Sequence, residues 1–181
     1  MSLIIPSEPD SLYFTIKNLW NGDPCGDESR HAEVWLTKKQ SGLNIRVHAP
    51  LLDGARIPSA PRDSRFDGLW EYDVIEVFLV GDDGTYTEIE LGAGGHFLVL
   101  SFGGVRIRSN DWADREFDHR NSSATPGTWQ SQILIPWDVL PKNITKLNAF
   151  AIAGGTHLAM SPVPGPEPDF HQPDVFPEVT V

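Results

Sequence analysis

The stretch Tyr72-Asp73-Val74-Ile75-Glu76-Val77-Phe78-Leu79-Val80, then Gly81-Asp82-Asp83-Gly84, then Thr85-Tyr86-Thr87-Glu88-Ile89-Glu90-Leu91 carries the main signal for the fold. Both outer runs are rich in β-branched and aromatic residues, which favour strands. The segment between them is typical of a hairpin turn, because glycine adopts the positive φ angles that such turns need. The stretch therefore predicts two antiparallel strands. The first is apolar at odd and even positions, so it should be a central strand covered on both faces.

The rest of the chain repeats short β-type segments between its 16 glycines and 15 prolines. This density leaves no room for a long helix, and the one helical candidate is a single turn at Pro136–Leu140. Many short strands at close spacing predict an all-β protein, an antiparallel sandwich or barrel. The predicted strands are Leu12–Lys17, Glu33–Thr37, Leu43–His48, Tyr72–Val80, Thr85–Leu91, Phe97–Phe102, Val105–Ser109, Thr128–Ile135 and Leu147–Ala153.

The 181 residues match the usual length of one domain, so we expect a single domain over residues 1–181. The segment Ala49–Leu69 is a long loop without strand signals, and such loops are often functional. The C-terminal tail, residues 162–181, contains six prolines. We expect this tail to wrap the sandwich rather than to enter a sheet.

Charge and cysteine content exclude several classes of function. The chain has 14 Lys and Arg against 25 Asp and Glu, a net charge of −11. Nucleic acids and anionic membranes need basic surfaces, so neither is expected as the main partner. The single cysteine, Cys25, allows neither an internal disulfide nor a zinc cage. No signal peptide or long apolar segment is evident, and we expect a cytoplasmic location.

Glu76 is the most informative charged residue, because it lies inside the apolar run of a predicted central strand. Burying an isolated carboxylate there costs several kcal/mol, so Glu76 must face a polar site or a partner. In one hairpin register it shares a face with Glu88 and Glu90 and forms an acidic patch. In the other it shares a face with Ile89.

The alternative explanation for Glu76 is structural, an ion pair with an arginine such as Arg46 or Arg106. No lysine or arginine occurs between Phe66 and Val105, although that stretch contains eight acidic residues. Any such partner must therefore come from elsewhere in the chain. A local ion pair is excluded.

Six tryptophans are many for a chain of this length. Trp35 and Trp129 lie inside predicted strands and are expected in the core. Trp70 and Trp112 lie at strand ends or in loops, where an exposed ring serves as a platform for the CH face of a sugar.

Trp70 is followed closely by Glu71 and Asp73, whose carboxylates accept hydrogen bonds from hydroxyl groups. This combination predicts a sugar-binding segment. The alternative is that Trp70 closes one end of the sandwich.

The histidines show neither a His-x-x-x-His pair nor any other metal signature. His96 follows a glycine-rich turn and is expected to approach Glu88 or Glu90, and His171 is expected to fold back onto the same face. A histidine near two carboxylates acts as a general acid or base, or completes a metal site. No cofactor is expected, with structural calcium on carboxylates and carbonyls as the alternative.

Several segments together resemble uncharacterised protein family 0462, over about Leu12 to Phe176. More distantly, the hairpin that contains Asp73 and Glu76 is similar to family-9 carbohydrate-binding modules and to the DOMON group of sugar- and haem-binding domains. The resemblance implies an immunoglobulin-like β-sandwich in which tryptophans clamp a sugar and calcium is structural. Haem is not expected, since Met160 is the only methionine besides Met1. The segments that carry the resemblance are Leu69–Leu79, Tyr86–Leu91, Gly95–Leu100, Trp129, Ile135–Trp137, Asn143–Ile152 and Pro168–His171.

Three functions stay open. The first is a non-catalytic module that binds a sugar or a similar polyhydroxylated ligand. The second is a sugar-acting hydrolase that uses two carboxylates among Asp73, Glu76, Glu88 and Glu90, together with His96. The third is a protein-interaction domain that uses a sandwich edge and the proline-rich tail. The predicted ligand-binding residues are Trp70, Glu71, Asp73, Glu76, Glu88, Glu90, His96, Trp112 and His171.

Overall fold

The computed structural model describes residues 2–123 and 125–181, and strands make up most of its regular structure. Short 3-10 helices occur at Glu28–Arg30, Leu69–Glu71 and Pro173–Val175. The strands are β1 (Leu3–Ile4), β2 (Leu12–Ile16), β3 (Asn18–Leu19), β4 (Ala32–Lys39), β5 (Gly42–Pro50), β6 (Val74–Gly81), β7 (Tyr86–Gly92), β8 (Phe97–Gly104), β9 (Ile107–Asn110), β10 (Asp118–Ser122), β11 (Thr128–Pro136), β12 (Ile144–Ala153), β13 (Thr156–Ala159) and β14 (Val179–Thr180).

Twelve of the strands form two antiparallel sheets that pack face to face, and β1 and β14 form a separate two-stranded parallel sheet. One sheet has five strands in the order β10-β11-β5-β4-β2, and the other has seven in the order β3-β13-β12-β6-β7-β8-β9. Alternate residues such as Val34, Leu36, Ile75 and Val77 fill the space between the sheets. The predicted all-β antiparallel sandwich is therefore confirmed, with β6 in the middle of the larger sheet.

Each of the nine predicted strands is present, with shifted ends. Strand β9, predicted from Val105, begins at Ile107, because Val105 and Arg106 form the preceding turn. The short strands β1, β3, β10, β13 and β14 were not predicted. Strand β10 is an example: its sequence Asp-His-Arg-Asn-Ser has no β-pattern, and pairing with β11 holds it extended.

The prediction of a helical turn at Pro136–Leu140 was wrong. The segment forms a hydrogen-bonded turn in which the Val139 amide donates to the Pro136 carbonyl at 3.0 Å. Strand β11 extends to Pro136, so too few residues remain before Pro141 to complete a helix.

The placement of Trp35 in the core was also wrong, whereas Trp129 is buried there. Val34 and Leu36 point into the space between the sheets, so Trp35 points outward from the five-stranded sheet. Its ring lies 5.1 Å from the ring of Tyr13 and 4.2 Å from the guanidinium carbon of Arg46.

The C-terminal tail lies against the outer face of the seven-stranded sheet, the face directed away from the other sheet. Phe170 stacks on Phe150 of β12 with ring centroids 4.0 Å apart, and Phe176 packs against Phe78 of β6 at 5.9 Å. The tail does enter a sheet at its end, contrary to expectation. There β14 pairs in parallel with β1.

We expect Phe150→Ala to destabilise the protein by about 3–5 kcal/mol, because the change leaves a cavity beneath Phe170 and beside Phe78. Urea denaturation measures this loss. Ile107→Ala, at a side chain that is 67% exposed, is the control and should change stability by less than about 0.5 kcal/mol. Equal effects of the two substitutions would contradict the packing described here.

Candidate ligand-binding site

Three glutamates lie together on the outer face of the seven-stranded sheet. Glu76 of β6 is directly opposite Glu90 of β7, and Glu88 lies two residues further along β7, opposite Phe78. Residues two apart on a strand share a face, so all three carboxyl groups point away from the sandwich interior. Of the two hairpin registers, the one that gathers the acids is therefore present.

A cavity of about 370 Å³ opens over this face. Glu76 and Glu88 lie at its floor and are only 2% and 3% exposed. The walls come from the 3-10 helix Leu69–Glu71, the β8–β9 hairpin, β13 and the tail. The other lining residues are Trp70, Leu100, Phe102, Arg106, Arg108, Ile152, His157, Pro168, Phe170 and His171.

Burial disfavours the ionised form of the carboxyl groups at this floor. Burial, reinforced by repulsion from Glu88 once that group ionises, raises the pKa of Glu76 well above its usual value. Burial also raises the pKa of Glu90, with Glu76 and Glu88 adding to the effect. Burial raises the pKa of Glu88 to about 8, although Arg108 and Arg106 oppose the rise. A protonated carboxyl both donates and accepts hydrogen bonds.

Some carboxyl oxygens of this glutamate cluster have no hydrogen-bond partner. Within the described residues, Oε1 of Glu76 and both carboxyl oxygens of Glu90 are buried without a hydrogen-bond partner. The structural alternative for Glu76 does not occur: Arg46 lies over Trp35 on the other sheet, and Arg106 pairs with Asp169 at 2.7 Å. Unpartnered buried polar atoms are costly, and they are characteristic of functional sites.

Two arginines stand above the acidic floor. Arg106, in the β8–β9 turn, donates from a terminal nitrogen to Asp169 of the tail at 2.7 Å. Arg108 of β9 donates to both carboxylate oxygens of Asp67 at 3.3 Å. Its guanidinium carbon lies 5.7 Å from the centre of the Trp70 ring, within cation–π distance.

His171 joins the tail to the floor of the cavity. Its Nδ1 lies 2.7 Å from the Tyr86 hydroxyl, and its Nε2 lies 3.8 Å from Oε2 of Glu88. Burial, together with the positive charge of Arg106, lowers the pKa of His171 to about 4. The imidazole is therefore neutral at physiological pH and forms no ion pair with Glu88 there.

Trp70 stands at the mouth of the cavity with 38% of its surface exposed. It belongs to the 3-10 helix Leu69–Glu71, which begins after Gly68 at a φ of +88°. Leu69 is fully buried and anchors this turn, so the next side chain is directed outward. Trp70 therefore borders the cavity rather than closing an end of the sandwich.

Five of the predicted site residues do not line the cavity, and one of them, Glu90, is fully buried beside it. Glu71 is exposed on the neighbouring surface. Asp73 pairs with Arg56 at 3.5 Å and accepts from the Gly154 amide at 3.1 Å, near the sandwich interior. The other two have their own partners: His96 contacts the Ala60 carbonyl at 2.9 Å, and Trp112 donates to Ser101 Oγ at 2.9 Å.

The cavity thus brings together Trp70, Glu76, Glu88 and His171, with Glu90 beside them. Sequence reasoning missed Arg106 and Arg108, which line the cavity, and Tyr86, which contacts His171 from beneath the lining. Tyr86 shares the parity of Glu88 and Glu90, a signal that was available. The position of Arg108 depends on the bulged pairing of β8 with β9, which has no counterpart in the residue pattern.

Two negative findings apply to the residues that the structure describes. They contain no group of three or more His, Cys, Asp or Glu side chains arranged to hold a metal ion. They also contain no helix that is long and apolar enough to span a membrane.

The chain is similar to proteins of vertebrates. It is 34% identical to the UPF0462 protein C4orf33 homolog of Mus musculus over 177 residues, which cover 90% of this chain and 88% of that protein. It is 31% identical to UPF0462 protein C4orf33 of Homo sapiens over 176 residues, which cover 90% and 85%. No protein-family model matches the chain.

Two solved structures share the fold. A candidate carbohydrate-binding protein from Bacteroides uniformis ATCC 8492 has a TM-score of 0.73 at 14% identity, with 99% of both chains covered. A carbohydrate-binding module of family 9 from Caldicellulosiruptor kristjanssonii, in complex with cellotriose, has a TM-score of 0.63 at 8% identity. That match covers 99% of this chain and 92% of the module. The β-sandwich is therefore of the family-9-module type.

The raised pKa of Glu88 makes stability depend on pH. Below its usual pKa of 4.5 the carboxyl is protonated in the folded and unfolded chain alike. Between that value and about 8 only the unfolded chain releases the proton, so stability is lost as pH rises. We expect Glu88→Gln to gain stability relative to wild type from pH 5 to pH 8, by at most about 1.4 kcal/mol per pH unit.

Urea denaturation at a series of pH values measures this difference. Glu116→Gln, at an exposed glutamate in the loop between β9 and β10, is the matched control. A wild-type-to-Gln difference at position 88 that stays constant from pH 5 to pH 8 would show that the carboxyl is not held neutral.

Proposed function

The chain belongs to the UPF0462 family, and from this premise we propose that it is a non-catalytic module that binds a sugar or a similar polyhydroxylated ligand. The binding site is the cavity on the outer face of the seven-stranded sheet. Trp70, Glu76, Glu88 and His171 contact the ligand there.

One observation carries this proposal: an exposed tryptophan ring borders a cavity whose floor is made of buried carboxyl groups. The flat apolar ring suits the CH face of a sugar, and the carboxyl groups exchange hydrogen bonds with its hydroxyls. The volume of about 370 Å³ lies at the lower end of the range of about 300–1,000 Å³ for small-molecule sites. A ligand of small size fits best.

The fold likeness supports the same function. One structural neighbour is a carbohydrate-binding module in complex with cellotriose, and another is a candidate carbohydrate-binding protein. At 8–14% identity these neighbours support the class of function through their architecture. The choice of ligand rests on the side chains of this chain.

A sugar-acting hydrolase is the second candidate, favoured by the placement of Glu76 and Glu88 on one face of an open cavity. Hydrolysis by two carboxyl groups requires one of them to be ionised, as nucleophile or base. Burial raises the pKa of both groups, to about 8 for Glu88, and so disfavours the ionised form that a nucleophile or base needs. Binding is therefore the better supported function.

We expect sugars that bind to raise the melting temperature by several degrees at 100 times their dissociation constant, a gain of about 2.7 kcal/mol. Thermal-shift titration with monosaccharides and short oligosaccharides measures this gain. In Trp70→Ala the shift should vanish, because the stacking platform is removed. Tyr13→Ala is the matched control: it removes a half-exposed aromatic ring on the opposite sheet and should leave the shift intact.

No shift with any sugar would contradict the proposal and leave a protein-interaction domain as the better explanation. A shift that persists in Trp70→Ala would place the binding site elsewhere on the molecule.

Glu88→Gln separates the two candidate functions. Glutamine, like a protonated carboxyl, both donates and accepts hydrogen bonds, so binding at pH 7 should change less than about threefold. A hydrolase that uses Glu88 would instead lose its activity on aryl glycosides, by orders of magnitude. Aryl glycoside cleavage by wild type that disappears in Glu88→Gln would replace the binding proposal with an enzymatic one.

A further inference from the structure

Arg106 has an unusual backbone conformation for its residue type. Its φ of +59° lies in the left-handed region, which costs a non-glycine residue on the order of 1 kcal/mol. Gly103 and Gly104 lie just before it, yet the left-handed position carries an arginine. This placement directs the Arg106 guanidinium to the cavity wall. Strain of this kind is typical of positions where the side chain has a function.

Hydrogen bonds around Tyr86 determine which nitrogen of His171 carries its proton. The backbone amide of Arg106 donates to the Tyr86 hydroxyl oxygen at 3.0 Å. The hydroxyl is part of a side chain that is 1% exposed, so its own proton needs an acceptor, and Nδ1 of His171 at 2.7 Å is that acceptor. In the neutral imidazole the proton must then be on Nε2. His171 therefore presents an N–H donor to the cavity, beside Glu88.

The two guanidinium groups keep donors for a ligand. Within residues 2–123 and 125–181, the side chain of Arg106 bonds through one terminal nitrogen to Asp169, and that of Arg108 through one terminal nitrogen to Asp67. A guanidinium has five N–H donors in a planar fork that suits carboxylates and phosphates. Asp67 and Asp169 are about half exposed, so solvent screens these pairs, and they orient the arginines more than they neutralise them.

The lining therefore includes two guanidinium groups and an imidazole N–H that can donate to a ligand. From these contacts we infer that the ligand is an acidic sugar, whose carboxylate or phosphate group is bound by Arg106, Arg108 and the Nε2–H of His171. This inference rests on the proposed function and adds the chemical class of the ligand. The uncharged form of the glutamates matters here, because ionised carboxylates at the floor would repel an anion.

The test is isothermal titration calorimetry at pH 7 and low salt with matched pairs of sugars. The pairs are D-glucose with D-glucuronate and D-galactose with D-galacturonate, and D-glucose 6-phosphate is added as the phosphate arm. We expect the acidic member of a pair to bind at least about tenfold more tightly than its neutral counterpart. This is the gain in affinity from one charge-assisted hydrogen bond. Comparison of the carboxylate and phosphate arms identifies the acidic group.

Two variants assign the preference to the arginines. Arg108→Gln and Arg106→Gly should reduce the acid-to-neutral ratio to about one, and Arg106→Gly also relieves the left-handed backbone, so it should fold. Arg46→Gln, at an exposed arginine over Trp35 on the other sheet, is the control and should keep the full ratio. In Tyr86→Phe, nitrogen NMR of the His171 ring should show the loss of the single Nε2–H tautomer.

The outcomes separate this inference from the proposed function. Neutral sugars that bind as tightly as their acidic counterparts would overturn the inference and leave the proposed function standing. A preference for acidic sugars that survives both arginine substitutions would also overturn it. If no sugar of either kind binds, the proposed function fails and the inference fails with it.

Discussion

The direct pairing of Glu76 with Glu90 across β6 and β7 is the constraint on which the rest of the molecule depends. The register that seals Ile75, Val77 and Ile89 between the sheets leaves these carboxyl groups on the outer face. A slip of one residue would place the acids in the apolar interior, at a cost of several kcal/mol for each. The apolar core and the acidic floor thus specify each other through the two-residue period of the strand.

The outer face of the seven-stranded sheet has apolar as well as acidic side chains, and the C-terminal tail covers the apolar ones. The tail does so by packing Phe170 and Phe176 against Phe150 and Phe78, which buries the apolar part of the face. The tail does not fill the space over Glu76 and Glu88, and this space is the cavity. Because the carboxyl groups are buried without full hydrogen bonding, their pKa values rise and the folded chain forfeits stability at neutral pH. Such a cost is typical of a binding site, where a ligand supplies the missing hydrogen bonds.

The residue pattern was a good guide wherever a side chain's role depends on its own strand. The hairpin turn at Gly81–Gly84 and the central position of β6 follow from turn chemistry and periodicity, whereas the shared face of Glu76 with Glu88 and Glu90 was one of two registers that the pattern allowed. Trp35 was misplaced because its position inside a strand was taken as enough to put it in the core, whereas only Val34 and its equivalents point inward. His96 was assigned to the site because it follows a glycine-rich turn after Glu88 and Glu90, and Trp112 because it lies at a strand end or in a loop. Each has a hydrogen-bond partner outside the cavity instead.

By itself, the amino-acid sequence determined the all-β architecture, the resemblance to its family and the placement of Glu88 and Glu90 on one face of their strand, because these depend on composition and on the two-residue period of a strand. Only the tertiary structure decided which side chains from other segments cover that face. Arg106 and Arg108 line the cavity from the β8–β9 turn and β9, whereas the return of His171 to the face of Glu88 had been expected. Those placements depend on packing between segments far apart in the chain, and local propensity does not encode it.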